Sequence, residues 1–206
     1  MDARRQGADG VELDVRRSRD GALVVHHDPA IEGIGAICDL DVADLPPHVA
    51  LLSEALGAST GMLVNVEIKN SPGELGYDPS GSLVGQVVAE LAELAHPDGI
   101  IISSFDLGTV EAVRGVEPSI PVGLLLEPGA DLAAAVALAS EHGFTAIHPF
   151  VIGCTAEAVA AAHDAGLAVN VWTVNAEADA ASLCAMGADA IITDDVAMVR
   201  RVVGTS

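Results

Sequence analysis

The chain reads as an α/β protein built from repeated parallel strand–helix units. Short apolar runs recur along its 206 residues with turn residues between them, and helical patterns lie between most of those runs. Half of the sequence is hydrophobic but only 2% is aromatic, so Val, Ile, Leu and Ala must fill the core while 21 glycines punctuate many short elements. A doubly wound open sheet and a closed (β/α)8 TIM barrel both fit this alternation. The barrel is favoured because acidic or polar residues fall at or just after the C-terminal ends of strands along the whole chain: Asp14, His27, Glu67, Ser103, Glu127, His148, Thr173 and Asp194. Barrel sites are assembled from that rim, whereas an open sheet concentrates its ligands at one switch point.

The strands expected from apolar runs cover 11–15, 22–27, 62–68, 99–104, 122–126, 145–149, 168–174 and 189–193. Helices are expected over 49–57, 82–95, 107–115, 130–142, 155–165 and 176–186, the second from the near-3.6 spacing of Leu83, Val84, Val87, Val88, Leu91 and Leu94. Asp106 is placed to cap the third, and Gly166 and Gly187 follow the last two as stop signals. The link from Val15 to Ala22 is too short for a helical crossover, so those strands should form a hairpin. Residues 70–81 form a Gly- and Pro-rich loop placed where a substrate lip would sit. The six residues before Gly7 are too few for a self-supporting helix.

One domain spanning 1–206 is expected from this length. The net charge of −21, from 30 acids and 9 bases, argues against nucleic-acid binding and against adhesion to anionic membranes. No apolar run is long enough for stable membrane insertion, and no secretory leader is visible, which predicts a cytoplasmic location. Cys38, Cys154 and Cys184 are widely spaced and lack a CxxC pattern, so reduced thiols are expected.

The chemistry concentrates in Gly10-Val-Glu-Leu-Asp-Val-Arg16 and in the run ending Val25-His-His-Asp-Pro29. Glu12 and Asp14 share one strand face, while Val11, Leu13 and Val15 share the other. Two acids so placed repel unless a positive group lies between them, and a hard divalent cation is the natural one. Glu67 offers a third carboxylate from Val64-Asn-Val-Glu-Ile-Lys69, with Lys69 on the same face as Glu67. A cation beside a lysine suits a phosphoryl group inside an acidic protein. His27, thirteen residues after Asp14, supplies a titratable imidazole. Plainer readings stand beside these: Glu12 and Asp14 as a solvated edge, His26 as packing or surface, His148 as a structural hydrogen-bonder, and Trp172 as core. Ser103 and Ser104 lack a base in any triad-like pattern.

The stretches Gly7–Val15, Asp20-Gly21, Val25-His-His-Asp-Pro29, Val66-Glu-Ile-Lys69, Ile102-Ser-Ser-Phe-Asp106, Val171-Trp-Thr-Val-Asn175 and Ala190-Ile-Ile-Thr-Asp194 together resemble the glycerophosphodiester phosphodiesterase family, in family order and over nearly the whole chain. The resemblance implies a TIM barrel, a divalent cation (Ca²⁺ or Mg²⁺), and hydrolysis of a small-molecule glycerophosphodiester to an alcohol and glycerol 3-phosphate. It implies metal ligation by Glu12, Asp14 and Glu67 and a catalytic role for His27. It also implies a phosphate-side role for Lys69 and a glycerol-pocket wall in Trp172.

The chain departs from the family pattern at its start. A strand ending in His-Arg-Gly and a Pro-Glu-Asn-Thr helix start are absent, so the resemblance implies a barrel lacking the first strand and most of the first helix. With them go a second histidine, an arginine and a further acid. The chain also ends its last motif as Thr193-Asp-Asp-Val196 in place of Thr-Asp-Arg-Pro. Divalent-ion binding with little or no turnover is the expectation. The alternative is a non-catalytic metal- or phosphate-binding barrel or degenerate copy, with a phosphoinositide-type phospholipase relative as a weaker enzyme reading.

Overall fold

The computed structural model describes residues 2–93 and 99–204; the expected helical positions Leu94 and Ala95, and His96, lie outside them. The chain divides into two compact units, Gly10–Ile120, and Met1–Asp9 together with Pro121–Ser206. The first element, α1 (Asp2–Arg5), belongs to the second of these.

The unit Gly10–Ile120 begins with β1 (Gly10–Arg17) and β2 (Leu23–Val25), which pair antiparallel with Val15 opposite Val25. This is the expected hairpin. Two strands that the apolar pattern did not mark follow, β3 (Ala30–Ile31) and β4 (Gly35–Ala36), forming a small separate ribbon. Each is only two residues long, too short for periodicity to register. Next come β5 (Ala50–Leu51), α2 (Leu52–Ala58), β6 (Leu63–Ile68), α3 (Ser82–Ala92), β7 (Ile100–Ser104) and α4 (Leu107–Val116). The segment expected as one helix from 49 therefore opens as a strand, β5, which pairs antiparallel with β2. β1 and β6 are parallel, as are β6 and β7. The expected cap forms: Asp106 accepts from the Thr109 amide at 2.8 Å.

The 70–81 loop is irregular, as expected, but it is firmly rooted. Asn70 Nδ2 donates to the Asp78 carbonyl and to Thr109 Oγ1, both at 3.1 Å, and the Asp78 amide donates to Asn70 Oδ1 at 2.7 Å. The Asp78 carboxylate in turn accepts from the Leu83 amide at 2.8 Å, tying the loop to the start of α3.

The other unit carries β8 (Val122–Leu126), α5 (Leu132–Glu141), β9 (Ala146–Pro149), α6 (Ala156–Asp164), β10 (Ala168–Val171), α7 (Glu177–Met186), β11 (Ala190–Ile191) and α8 (Val196–Val203). Its strands pair in parallel, β8 with β9, β9 with β10, and β10 with β11. Gly187 closes α7 at φ 85°, a left-handed position that suits glycine. Helix α8 lies beyond the last expected element and starts at Asp195, whose side chain accepts from the Met198 amide. The turn α1 is shorter than a self-supporting helix. Asp9, which follows it, pairs with Arg200 of α8 at 3.2 Å. All three cysteines are free thiols. Among the described residues no helix is long and apolar enough to cross a membrane.

Candidate active site

The site in the Gly10–Ile120 unit starts from strand register. β1 and β6 run in parallel with Glu12 opposite Asn65 and Asp14 opposite Glu67. Alternation buries Leu13 and Val15 on the reverse face of β1, with Val15 fully shielded. Glu12, Asp14 and Glu67 therefore converge, and each offers an oxygen within 4.8 Å of those of the other two.

Lys69 completes the cluster. Its Nζ lies 2.5 Å from Glu67 Oε1 and 2.9 Å from Asp14 Oδ1, and 5.9 Å from the centroid of the Phe105 ring. Burial alone would depress the Lys69 ammonium, but its ion pairs with Glu67 and Asp14 outweigh that and hold its pKa above the ordinary value. Burial raises the Glu67 carboxyl, with Asp14 adding to the rise; Lys69 and the more distant His27 oppose it. Glu12 is pushed up to about 8, first by burial and then by the charges of Asp14 and Glu67. Among the described residues its buried Oε1 has no hydrogen-bond partner, and neither have Asn65 Oδ1 and Nδ2 beside it or Ser103 Oγ across from Glu67. Once Glu12 ionises, three carboxylates against one ammonium leave an excess of negative charge. That excess, the all-oxygen donor set and the orphaned Glu12 oxygen fit a hard divalent cation.

His27 follows β2 in the turn that brings the chain back beside the acids: the His26 amide donates to the Asp14 carbonyl at 2.9 Å. The His27 side chain is exposed, and its Nδ1 lies 2.8 Å from Asp28 Oδ1. A hydrogen bond to His27 holds the Asp28 carboxyl below its ordinary value. The tautomer in which Nδ1–H donates to that carboxylate leaves Nε2 as the ring's open nitrogen. His26 Nδ1 instead meets the Asp28 carbonyl at 2.9 Å.

The structure thus brings Glu12, Asp14, Glu67, Lys69 and His27 into one unit. Trp172 belongs to the other, just after β10. There its Nε1 donates to the His148 carbonyl at 2.8 Å and its ring meets Phe150 edge-on, 5.1 Å between centroids. His148 is fully buried, with Nε2 2.9 Å from Asn170 Nδ2, and burial lowers its pKa to about 4. Burial and the bond to Asn170 favour the plainer of its two readings, a structural hydrogen-bonder. Asn65, Arg16 and Phe105 lie beside Glu12, His27 and Lys69 respectively, with no motif that marks them as site residues. The signal for the first two was alternation: Asn65 precedes Glu67 by two residues, and Arg16 follows Asp14 by two.

A family model for the glycerophosphoryl diester phosphodiesterase family matches residues 1–198. The chain belongs to that family. Its members are phosphoric diester hydrolases, and the chain is an enzyme of that class. It is 29% identical over 210 residues to a glycerophosphodiester phosphodiesterase of Caldanaerobacter subterraneus subsp. tengcongensis, covering 92% of this chain and 83% of the relative. A glycerophosphodiester phosphodiesterase of Bacillus altitudinis is 28% identical over 220 residues, covering 93% of this chain and 85% of the relative. Among solved structures, the Oleispira antarctica phosphodiesterase bound to the product sn-glycerol-3-phosphate superposes with a TM-score of 0.86 at 22% identity, covering 97% of this chain and 87% of that one. The Thermotoga maritima glycerophosphodiester phosphodiesterase gives a TM-score of 0.80 at 23% identity, covering 98% and 88%. These likenesses assign the fold, an α/β TIM barrel.

Proposed function

We propose that this family member hydrolyses a glycerophosphodiester to an alcohol and sn-glycerol 3-phosphate, with Glu12, Asp14 and Glu67 holding a divalent cation, Ca²⁺ or Mg²⁺. The observation that carries the reading is the convergence of three carboxylates on one point beside Lys69. The family match through both compact units supports reading 1–206 as one phosphodiesterase domain. The product named for the Oleispira antarctica structure supports the substrate class.

A bound cation supplies Lewis-acid polarisation of a phosphoryl oxygen. The remaining work falls to side chains. Lys69 offers its ammonium to a phosphate oxygen. His27 Nε2 is the proton-exchanging atom, taking a proton from the nucleophile or giving one to the leaving alcohol, with Asp28 fixing the ring. The family likeness supports reading Trp172 as a wall of the glycerol pocket.

The test measures glycerol 3-phosphate release from glycerophosphocholine, with and without Ca²⁺ or Mg²⁺, alongside melting temperature. The reading requires a cation-dependent rise in melting temperature and a cation-dependent turnover, both lost in Glu12→Gln and Glu67→Gln. A melting shift with no turnover supports the non-catalytic metal-binding reading instead.

A further inference from the structure

We propose that Arg16 is a positioning residue that fixes the His27 turn and ties it to the 70–81 loop; the catalytic half of this proposal rests on the function proposed above. Glu12, Asp14 and Arg16 occupy alternate positions on β1, so a cation ends the row that the two acids begin. Arg16 is 5% exposed, and its buried guanidinium is spent on one backbone atom. Nε donates to the His27 carbonyl at 3.0 Å and Nη2 donates to the same oxygen at 2.7 Å. Its third nitrogen, Nη1, lies 3.7 Å from Glu74 Oε2 on the loop. Burying a guanidinium is costly unless its donors are satisfied, and this one is satisfied largely by the carbonyl of the residue whose imidazole faces outward.

The neighbouring arginine shows the contrast. Arg17 points to the opposite face, where Nη2 meets Asp78 at 3.1 Å and Nη1 donates to Ser82 Oγ at 2.8 Å. It ties the root of the 70–81 loop to α3. Arg16 reaches Glu74 in the same loop and shares a narrow slot with Lys69, Leu75 and Gly76. The two arginines thus hold the loop at two points, and only Arg16 also holds the His27 backbone. The His27 side chain is exposed and meets Asp28, its own neighbour in the turn. A ring so exposed keeps its place only as well as its backbone does, and the bidentate contact from Arg16 is a long-range side-chain bond that restrains that backbone.

The experiment compares Arg16→Met and Arg16→Lys with the unaltered chain by amide hydrogen exchange and by steady-state kinetics on glycerophosphocholine with Mg²⁺. Exchange at His26, His27 and Asp28 should rise in Arg16→Met and rise less in Arg16→Lys, while exchange in β6 and β7 stays unchanged. Misplacing a reacting group by about 1 Å costs on the order of 10²-fold. A kcat loss up to that size is therefore expected, with KM and the cation midpoint within about twofold and Arg16→Lys intermediate. Unchanged exchange over 26–28 in both variants overturns the proposal, as does protection lost equally in β1, β6 and β7, which marks a general packing role. If Arg16→Met fails to fold, Arg16→Lys decides by the same criteria. An unaltered chain that releases no glycerol 3-phosphate defeats the functional reading and the catalytic half of this one, whereas exchange still decides whether Arg16 fixes the turn.

Discussion

Lys69 Nζ lies 2.5 Å from Glu67 Oε1, joining a residue just beyond the end of β6 to one inside it. The same ammonium meets Asp14 on β1 at 2.9 Å. Lys69 is thus the counter-charge of the acidic cluster as well as the group suited to a phosphate.

Replacing Lys69 with Met should therefore act on stability as well as on turnover. The variant leaves half-buried carboxylates facing one another without their ammonium. Removing one member of a buried pair costs about 3 kcal/mol, seen as a lower denaturant midpoint in chelator. Added Mg²⁺ or Ca²⁺ should recover more stability in the variant than in the unaltered chain. An equal gain in both would show that lysine and cation do not share the same carboxylates.

The acidic cluster also sets a pH dependence. Glu12 titrates at 4.5 when unfolded and at about 8 in the folded, metal-free protein. Between those values the folded state binds more protons, so its contribution to stability is full below 4.5 and is lost as pH rises through 8. In chelator the melting temperature should fall across that window, and less so in Glu12→Gln. A cation must displace the Glu12 proton, so its stabilising effect should be greater at pH 8.5 than at pH 6. Melting curves with and without Mg²⁺ at both pH values measure this.

His148 has the opposite sign. Its folded pKa of about 4 lies below the ordinary 6.5 because burial excludes the charged form. The unfolded chain binds the extra proton between those values, so stability present above 6.5 is lost as pH falls toward 4. The full span amounts to roughly 3 kcal/mol. His148→Gln should flatten the acid limb of a stability–pH curve between 6.5 and 4, whatever it does to stability at pH 7.

Gly123 leaves room for that imidazole. A Cβ at this position of β8 would lie 2.3 Å from His148 Nε2, and the ring is fully buried and held by Asn170. Gly123→Ala should destabilise by about 1–3 kcal/mol, the usual cost of overpacking. A double substitution with His148→Ala should recover part of the loss. Urea unfolding of the two single variants and the double variant checks it.

The main strands and most helices were legible because each depends on local pattern: apolar runs, 3.6 periodicity, the Asp106 cap and the Gly187 stop. The metal-type triad was legible for the same reason, since alternation on β1 and on β6 put its acids on common faces. The two-residue strands at 30–31 and 35–36, and the strand that opens the 49–57 segment, carry too few residues for any period.

What sequence patterning could not give is contact between distant residues. Alternation placed Lys69 beside Glu67, but the β1–β6 register brought Asp14 to the same ammonium. Nothing in the order of residues told that Arg16 spends its guanidinium on a carbonyl eleven positions later, or that His148 is sealed from water. Side-chain identity and spacing fix which face a residue joins; burial and partner depend on which strand lies alongside, and that is settled only when the chain closes on itself.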